Sequence, residues 1–375
     1  MSLKLKIGLL LVLGFLSQRS WLVAQSPGWY LILDAGRGQT LRHRSTMVFD
    51  LPRPAQALSL ELTRQTRGHR AWAAAMRLPR WGVALHGQDY GNRPVLGYMV
   101  AVAPFFELPM LRRGPFSLWW RMNMGFAYHD RSYDRAHNPL NNAIGSALNN
   151  YTSFSLIGEA QLGERWLVRA GGHFVHQSNA RSRLPNLGLN VPQWRVGLGY
   201  QLTAETLHDR LDRNALSYDR GWRYYLRLGL GQVEQKVAGG PRYPVWIISG
   251  YAARRISPAQ RLLLGLEVSH DAALAAFMRN QDIPPGTPTW DPTRPAAWVG
   301  YELGSERLAM MGQVFLYLHD WPGTYGTRFW GTRFGPTYYF GGDDPEARLR
   351  PFVGMYLKTH LFIADYFETT VGLRF

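Results

Sequence analysis

The sequence predicts an all-β protein, an antiparallel transmembrane β-barrel of the outer membrane of a Gram-negative bacterium. Three observations predict this fold: a secretory leader, about sixteen short segments of alternating polarity, and a C-terminal segment that ends in Phe. The 375-residue chain also carries 14 Trp, 19 Tyr and 17 Phe. Such barrels place aromatic side chains in girdles at both membrane interfaces.

The N-terminal segment has the layout of a secretory signal peptide. Lys4 and Lys6 precede the apolar run of residues 7–16, and small residues surround an expected cleavage site near Gln25. The run is too short to span a bilayer, which takes about 20 residues. Residues 1–25 are therefore expected to be a signal peptide, with a short membrane anchor as the alternative. An exported chain with no long apolar run after its leader is either soluble or a β-barrel.

Segments of period two recur along the rest of the chain. In residues 222–230, Trp222 and Leu226 fall on an apolar face, and Arg223 and Arg227 fall on the opposite one. This alternation predicts a strand with one apolar and one polar face. The predicted strands are 28–36, 56–65, 79–87, 94–104, 115–127, 151–161, 165–176, 191–201, 222–232, 244–254, 260–270, 295–303, 307–318, 333–341, 350–359 and 364–375.

The strand count alone does not determine how the sheet closes into a barrel. We prefer one enlarged barrel of about 12–16 strands, with two tandem eight-stranded barrels as the alternative. The connections 66–78 and 202–221 are longer than the short periplasmic turns of this class, so the strand number is open by two. On this interpretation residues 26–201 carry the functional motif described below, and residues 202–375 add further barrel strands.

The last predicted strand alternates apolar residues up to the C-terminus. Phe367, Val371, Leu373 and Phe375 fall on one face. This pattern resembles the terminal strand by which the outer-membrane assembly machinery recognises barrels. An ordinary edge strand that ends in Phe is the alternative, and the strand count disfavours a soluble lectin-like sandwich.

Charge and cysteine content limit the chemistry and the partners. The chain has no Cys, which excludes disulfides and thiol chemistry. Its formal net charge is +16, and removal of Lys4, Lys6 and Arg19 with the leader leaves +13. A basic protein attracts polyanions. Export argues against nucleic acid, so the phosphates of lipopolysaccharide are the expected polyanion, together with the outer-membrane lipids around the barrel.

One segment, residues 172–190, ends a predicted strand with polar side chains. His176 and Ser178 continue the apolar phase of that strand, and Asn190 continues the apolar phase of the next. All three are therefore expected to face lipid at the outer rim, where polar groups are costly and usually functional. A serine nucleophile needs a neighbouring base and a third group that orients the base. We predict Ser178 as the nucleophile, His176 as the base and Asn190 as the orienting group.

The same segment resembles the lipid A 3-O-deacylase (PagL-like) family, also called acyloxyacyl hydrolases. It has a His-x-Ser-Asn motif at 176–179 and Pro-Asn-x-Gly at 185–188, and residues 138–149 are similar to longer family members. The resemblance covers roughly residues 28–201. It implies a barrel with its site between the last two of eight strands, and hydrolysis of an ester-linked acyl chain of lipid A without a metal or other cofactor.

The third site position departs from the family pattern. Members usually carry Glu where this chain has Asn190. An amide oxygen can accept the imidazole N–H but brings no charge. Asn179 and Asn186 are candidate oxyanion donors, and Arg181 and Arg183 are candidates for gripping lipid phosphates, with a solvated loop as the alternative.

The sequence is compatible with two functions. The first is a serine esterase acting on lipid A, and the alternative is a non-catalytic barrel, either a channel or a scaffold with a degenerate site. An acid close to Asn190 favours the enzyme, but the neighbouring Glu159 has a luminal phase. No metal pair is predicted from His173 and His176, because residues three apart in a strand point to opposite faces.

Overall fold

Sixteen antiparallel β-strands and three short helices are the regular elements of this computed structural model, over the residues that it describes. These are 28–67, 70–203, 218–234, 237–284, 291–318, 329–341, 349–360 and 363–375. The first eight strands are β1 (Trp29–Gly38), β2 (Ala55–Gln65), β3 (Arg80–Asp89), β4 (Tyr98–Arg113), β5 (Phe116–His129), β6 (Leu148–Leu162), β7 (Trp166–Ser178) and β8 (Leu189–Gln201). The remaining strands are β9 (Trp222–Glu234), β10 (Arg242–Ser257), β11 (Gln260–Asp271), β12 (Thr293–Gly304), β13 (Leu308–Tyr317), β14 (Trp330–Tyr339), β15 (Arg350–His360) and β16 (Ile363–Arg374).

The strands close into two separate barrels. β8 pairs with β1, with Leu198 opposite Leu33, so the first eight strands leave no free edge. β16 pairs with β9, with Val371 opposite Leu228, and this closes the second eight. The preferred prediction of one enlarged barrel is therefore wrong, and the alternative of two tandem eight-stranded barrels is correct. Residues 202–221 exceed the length of a turn because they connect two barrels.

Every predicted strand coincides with an observed one, and the connections account for the remaining differences. The helix α1 (Ala71–Ala75) lies within the long connection 66–78. The fourth strand begins at Tyr98, later than predicted, because residues 93–96 form α2 (Arg93–Leu96). The Asn92 side chain caps α2 by accepting from the Val95 N–H at 3.2 Å. The predicted signal peptide lies outside the described residues.

In each barrel, successive connections between strands lie alternately at the two ends. Short turns, such as residues 163–165 and 258–259, connect the strands at one end, which we call the turn end. Longer connections such as 130–147, 179–188 and the one that follows β11 lie at the opposite end, the loop end. The third helix, α3 (Ala272–Asn280), lies in the last of these. Over the described residues, none of the helices is long and apolar enough to cross a bilayer.

The barrel wall has one apolar and one polar face. On β9, Leu226, Leu228 and Leu230 point outward and are 44–49% exposed, whereas Arg227 between them points inward and is fully buried. This is the period-two pattern that the sequence predicts for a wall between lipid and a polar interior.

Ion pairs occupy the interior of the first barrel. Arg80 donates two hydrogen bonds of 2.9 Å to Glu159. Arg121 donates to both oxygens of Glu61 at 2.7 and 2.6 Å. Glu159 thus lies in the lumen, as its phase predicts, and not beside Asn190. Buried charges need close partners of this kind, because removing a charge from water is costly.

Buried ion pairs also occupy the interior of the second barrel, and the helix α3 covers its loop end. Arg333 and Arg227 pair with Glu267 at 3.0 and 3.2 Å. Asp271 caps α3, accepting from Ala273 N–H at 2.9 Å, and apolar side chains of α3 pack onto aromatic residues of the lumen. Over the residues described, networks of buried ion pairs therefore occupy the interiors of both barrels.

Candidate functional site

The three predicted site residues meet where β7 ends and β8 begins. His176 lies directly opposite Asn190 in the β7–β8 register, so their side chains share one face of the wall. Ser178 lies two residues after His176 on the same strand and has the same phase. Two elementary properties of a β-sheet, period two and cross-strand pairing, are thus enough to bring the three side chains together.

The imidazole of His176 bridges the other two side chains. Its Nδ1 lies 2.6 Å from Asn190 Oδ1, and its Nε2 lies 3.0 Å from Ser178 Oγ. If Asn190 Oδ1 accepts from Nδ1–H, Nε2 carries a lone pair directed at the serine hydroxyl. This is the arrangement of a serine nucleophile, its general base and an orienting group.

The site is on the outward face of the wall, but it is covered. The Ser178 side chain is only 4% exposed. Gly188 lies against it: a Cβ there would be 3.5 Å from Ser178 Cβ and 3.1 Å from His176 Cε1. The prediction that all three residues face lipid is right about the strand face, but Ser178 is buried, and His176 and Asn190 are only partly exposed. The residues of the β7–β8 loop (179–188) shield polar groups that would be costly to leave in hydrocarbon.

The two asparagines of the motif hold the β7–β8 loop. The Asn179 N–H donates to Asn186 Oδ1 at 3.0 Å, and Asn179 Nδ2 donates to Ser146 Oγ at 2.9 Å. Within the described residues Asn186 Nδ2 has no protein acceptor, so it remains a donor available to a ligand. The pair therefore has a structural function, and Asn186 is the better candidate for an oxyanion donor.

A second connection packs closely on the same loop. Gly188 N–H donates to Ala143 O at 3.0 Å. At Gly145 a Cβ would lie 2.5 Å from Pro185 O, which leaves room only for glycine. Residues 130–147 thus support the β7–β8 loop within the first barrel. They include most of the 138–149 segment that is similar to longer family members.

The two loop arginines contact the second barrel. Arg183 Nη1 lies 2.8 Å from Glu234 Oε1, and Arg181 Nη1 lies 3.9 Å from Asp365 Oδ1. The sequence predicts phosphate binding for these arginines, and that stays a prediction. Sequence reasoning missed Glu234 and Asp365, because nothing in the local pattern links β9 or β16 with a loop of the other barrel.

The described residues contain no group of three or more His, Asp or Glu side chains that could hold a metal ion. His173 points into the lumen, where its Nδ1 lies 2.7 Å from Ser155 Oγ. It thus lies on the face opposite to His176, as the spacing predicts.

Two protein-family models match this chain. The model described as lipid A 3-O-deacylase (PagL) matches residues 56–199. The model described as the C-terminal domain of acyloxyacyl hydrolase matches residues 221–375. The matches confirm the resemblance that the sequence motif indicates and extend it to the second barrel. No curated protein matches the sequence significantly.

Solved structures with similar folds are outer-membrane barrels of low sequence identity. Neisserial surface protein A is 9% identical, with 48% of this chain and 100% of that chain covered and a TM-score of 0.33. The β domain of the Bordetella autotransporter BrkA is 9% identical over 94% of this chain and 99% of its own, with a TM-score of 0.25. OccK11 (OpdR) of Pseudomonas aeruginosa is 12% identical over 93% and 95%, with a TM-score of 0.21.

Proposed function

Because this chain belongs to the lipid A 3-O-deacylase (PagL) family, we propose that it is an outer-membrane serine esterase that removes an ester-linked acyl chain from lipid A. The observation that carries this proposal is the hydrogen-bonded chain from Asn190 through His176 to Ser178. The order of these groups matches what acyl transfer to a serine requires.

The first half of the reaction forms an acyl-enzyme. Ser178 Oγ attacks the carbonyl carbon of the ester while His176 Nε2 takes the hydroxyl proton. The resulting oxyanion needs a donor, for which Asn186 Nδ2 is the candidate. When the tetrahedral intermediate collapses, the C–O bond to the sugar breaks. His176 returns its proton to the sugar oxygen, which leaves as a hydroxyl group.

The second half regenerates the enzyme. Water attacks the acyl-enzyme carbonyl while His176 Nε2 accepts a water proton. The bond to Ser178 Oγ then breaks, the serine recovers its proton from His176, and the fatty acid is released. Every proton in this cycle passes through one nitrogen, which is why the orientation of the ring by Asn190 matters.

The surroundings of the site suit a lipid substrate. Below the site on the same outward face lie Phe174, Trp194 and Val196, and Trp194 is 75% exposed. An acyl chain in the outer leaflet would run along this apolar strip, and its ester would then be near the loop end of the wall. The net charge, +13 after removal of the predicted leader, favours the phosphate-bearing surface of lipopolysaccharide. The leader-like N-terminus and the family both favour the outer membrane as the location.

The alternative, a non-catalytic barrel, is supported only by Asn190 in place of the usual Glu. The channel version requires an open, hydrated lumen. The buried ion pairs described above, such as Arg121 with Glu61 and Arg333 with Glu267, argue against one in either barrel.

The test is mass spectrometry of lipid A after incubation with the refolded protein. We expect the wild-type protein to remove one acyl chain and Ser178→Ala to remove none. The shift of folded barrels on unheated gels verifies that both samples are folded. Unchanged lipid A with folded wild-type protein would refute the hydrolase and favour the scaffold, and equal activity of Ser178→Ala would refute the nucleophile.

A further inference from the structure

Glu234, the last residue of β9, is a buried carboxylate of the second barrel whose partners lie in the first. Its side chain is fully buried. One carboxylate oxygen accepts from Arg183 Nη1 at 2.8 Å and the other from the Leu184 N–H. Over the described residues, these are the hydrogen-bond donors to this carboxylate. A buried carboxylate is costly unless it is paired, so the position of Glu234 depends on the β7–β8 loop.

The loop also bends sharply where the second barrel contacts it. Ala180 and Arg181 have φ angles of +47° and +62°, a left-handed conformation that is unfavourable for residues with a Cβ. The Arg181 carbonyl oxygen accepts from the Glu234 N–H at 2.9 Å, and the Arg181 guanidinium lies 3.9 Å from Asp365. Two strands of the second barrel, β9 and β16, therefore stabilise a strained bend in the first.

That bend is directly connected to the proposed nucleophile. Ser178 is followed by Asn179, whose carbonyl and side-chain oxygens accept from the Ser182 and Arg183 N–H groups at 3.0 and 3.4 Å. At the far end of the loop, Gly188 lies against the imidazole of His176. A change in the bend would therefore move both the residue after the nucleophile and the residue that packs on the base.

We propose that the second barrel is a positioning element for the site in the first, and that Glu234 is the residue through which it acts. By holding Arg183 and Leu184, Glu234 keeps the β7–β8 loop in the conformation that places Asn186 on the Asn179 N–H and Gly188 on His176. The consequence for catalysis rests on the proposed esterase function, whereas the consequence for the loop does not. The C-terminal half of the chain would then be required for turnover although it contributes no group to the reaction.

The first measurement is steady-state kinetics of the full-length Glu234→Gln variant in detergent micelles containing lipid A. We expect kcat to fall by about 10–100-fold with little change in KM, because misplacement of reacting groups costs this much in rate. The matched control is Glu306→Gln, a carboxylate at the turn end of the same barrel that pairs with Arg255 and Arg261. It should retain wild-type kcat.

A double-mutant cycle tests whether Glu234 and Arg183 act through one shared contact or independently. Arg183→Gln should lower kcat as Glu234→Gln does, and the double variant should be no slower than the slower single variant, since both changes break one ion pair. Additive losses in folded proteins would contradict a common function of the pair.

The second measurement needs no activity. Hydrogen exchange of the peptide that covers residues 179–188 should become about tenfold faster in Glu234→Gln and stay unchanged in Glu306→Gln. An uncharged amide with one acceptor oxygen cannot hold both the Arg183 guanidinium and the Leu184 N–H as the carboxylate does. An inactive wild-type protein whose loop loosens in Glu234→Gln would refute the esterase and retain the positioning contact. Unchanged exchange and unchanged kcat in folded Glu234→Gln would overturn the proposal.

Discussion

At the scale of single residues, the site depends on one imidazole and the two side chains that it bridges. Ser178 and His176 are the groups that the proposed reaction consumes and restores, and the 3.0 Å contact between them already has the length of a hydrogen bond. Asn190 holds the other side of the ring at 2.6 Å, but it contributes a dipole where family members usually contribute a charge. The rate should therefore be sensitive to the charge at position 190.

We predict that Asn190→Asp raises kcat. The change is isosteric and puts a carboxylate oxygen where Asn190 Oδ1 now contacts His176, so the imidazolium formed in each half-reaction is stabilised by a negative charge. In serine proteases the reverse change costs about 10⁴ in rate, so an increase of about tenfold or more is expected here. Asn190→Leu, which removes the acceptor, should lower kcat.

Both effects are measured as the rate of fatty acid release from lipid A. Asn190→Asp combined with Ser178→Ala is the matched control and should stay inactive. Equal rates for the Asn, Asp and Leu proteins would mean that the bond to Asn190 has no function in proton transfer.

At the scale of an element, the β7–β8 loop covers the site, and its one glycine, Gly188, packs against the base. Gly188 has a φ of +77° and stands against His176, so it needs both the left-handed conformation and the absence of a Cβ. Gly163, in the turn between β6 and β7, has a similar φ of +66° but no atom within 4 Å of a Cβ. A comparison of substitutions at the two glycines therefore distinguishes the effect of backbone strain from the effect of contact with the base.

We predict that Gly188→Ala and Gly163→Ala lose similar stability, about 1–2 kcal/mol each, because alanine is strained in this conformation. Only Gly188→Ala should lower kcat, by about tenfold or more, because its methyl group would displace His176. Unfolding in urea and kinetics on the folded fraction check the two parts. Loss of activity in Gly163→Ala would show that strain anywhere in this sheet is enough to disturb the site.

At the scale of the whole molecule, two closed walls enclose two networks of buried charge. Arg121 is fully buried and is shared between Glu61 and Glu107, with its Nε 2.8 Å from Glu107. These networks span the lumen and connect strands that are not neighbours in the sheet. They stabilise each barrel from inside while the wall faces lipid with its apolar side.

We predict that Arg121→Met lowers the free energy of unfolding by about 3–5 kcal/mol, because it leaves buried carboxylates short of a partner. The matched control is Arg113→Met, at the exposed end of β4, which should change it by less than about 0.5 kcal/mol. Urea unfolding in vesicles, followed by tryptophan fluorescence, measures both. A small effect of Arg121→Met would show that water replaces the lost guanidinium in the lumen.

Much of this architecture is determined by the sequence alone, since it follows from local patterns. Period two in each segment is enough to locate all sixteen strands and to assign Leu226 outward and Arg227 inward. The same periodicity, with the pairing of consecutive strands, is enough to place Ser178, His176 and Asn190 on one face. Strand phase also assigns Glu159 to the lumen and so separates it from the site.

Only the tertiary structure decides how the strands close and what holds the loop over the site. Closure depends on whether β8 bonds to β1 or to β9, and these edges are alike in pattern and far apart in sequence. The contact of Glu234 with Arg183 has no local signal either, because it joins two barrels whose strands each satisfy their own pattern. Burial of Ser178 is likewise a property of the loop that covers it, since strand phase specifies a face of the wall and not what packs on that face.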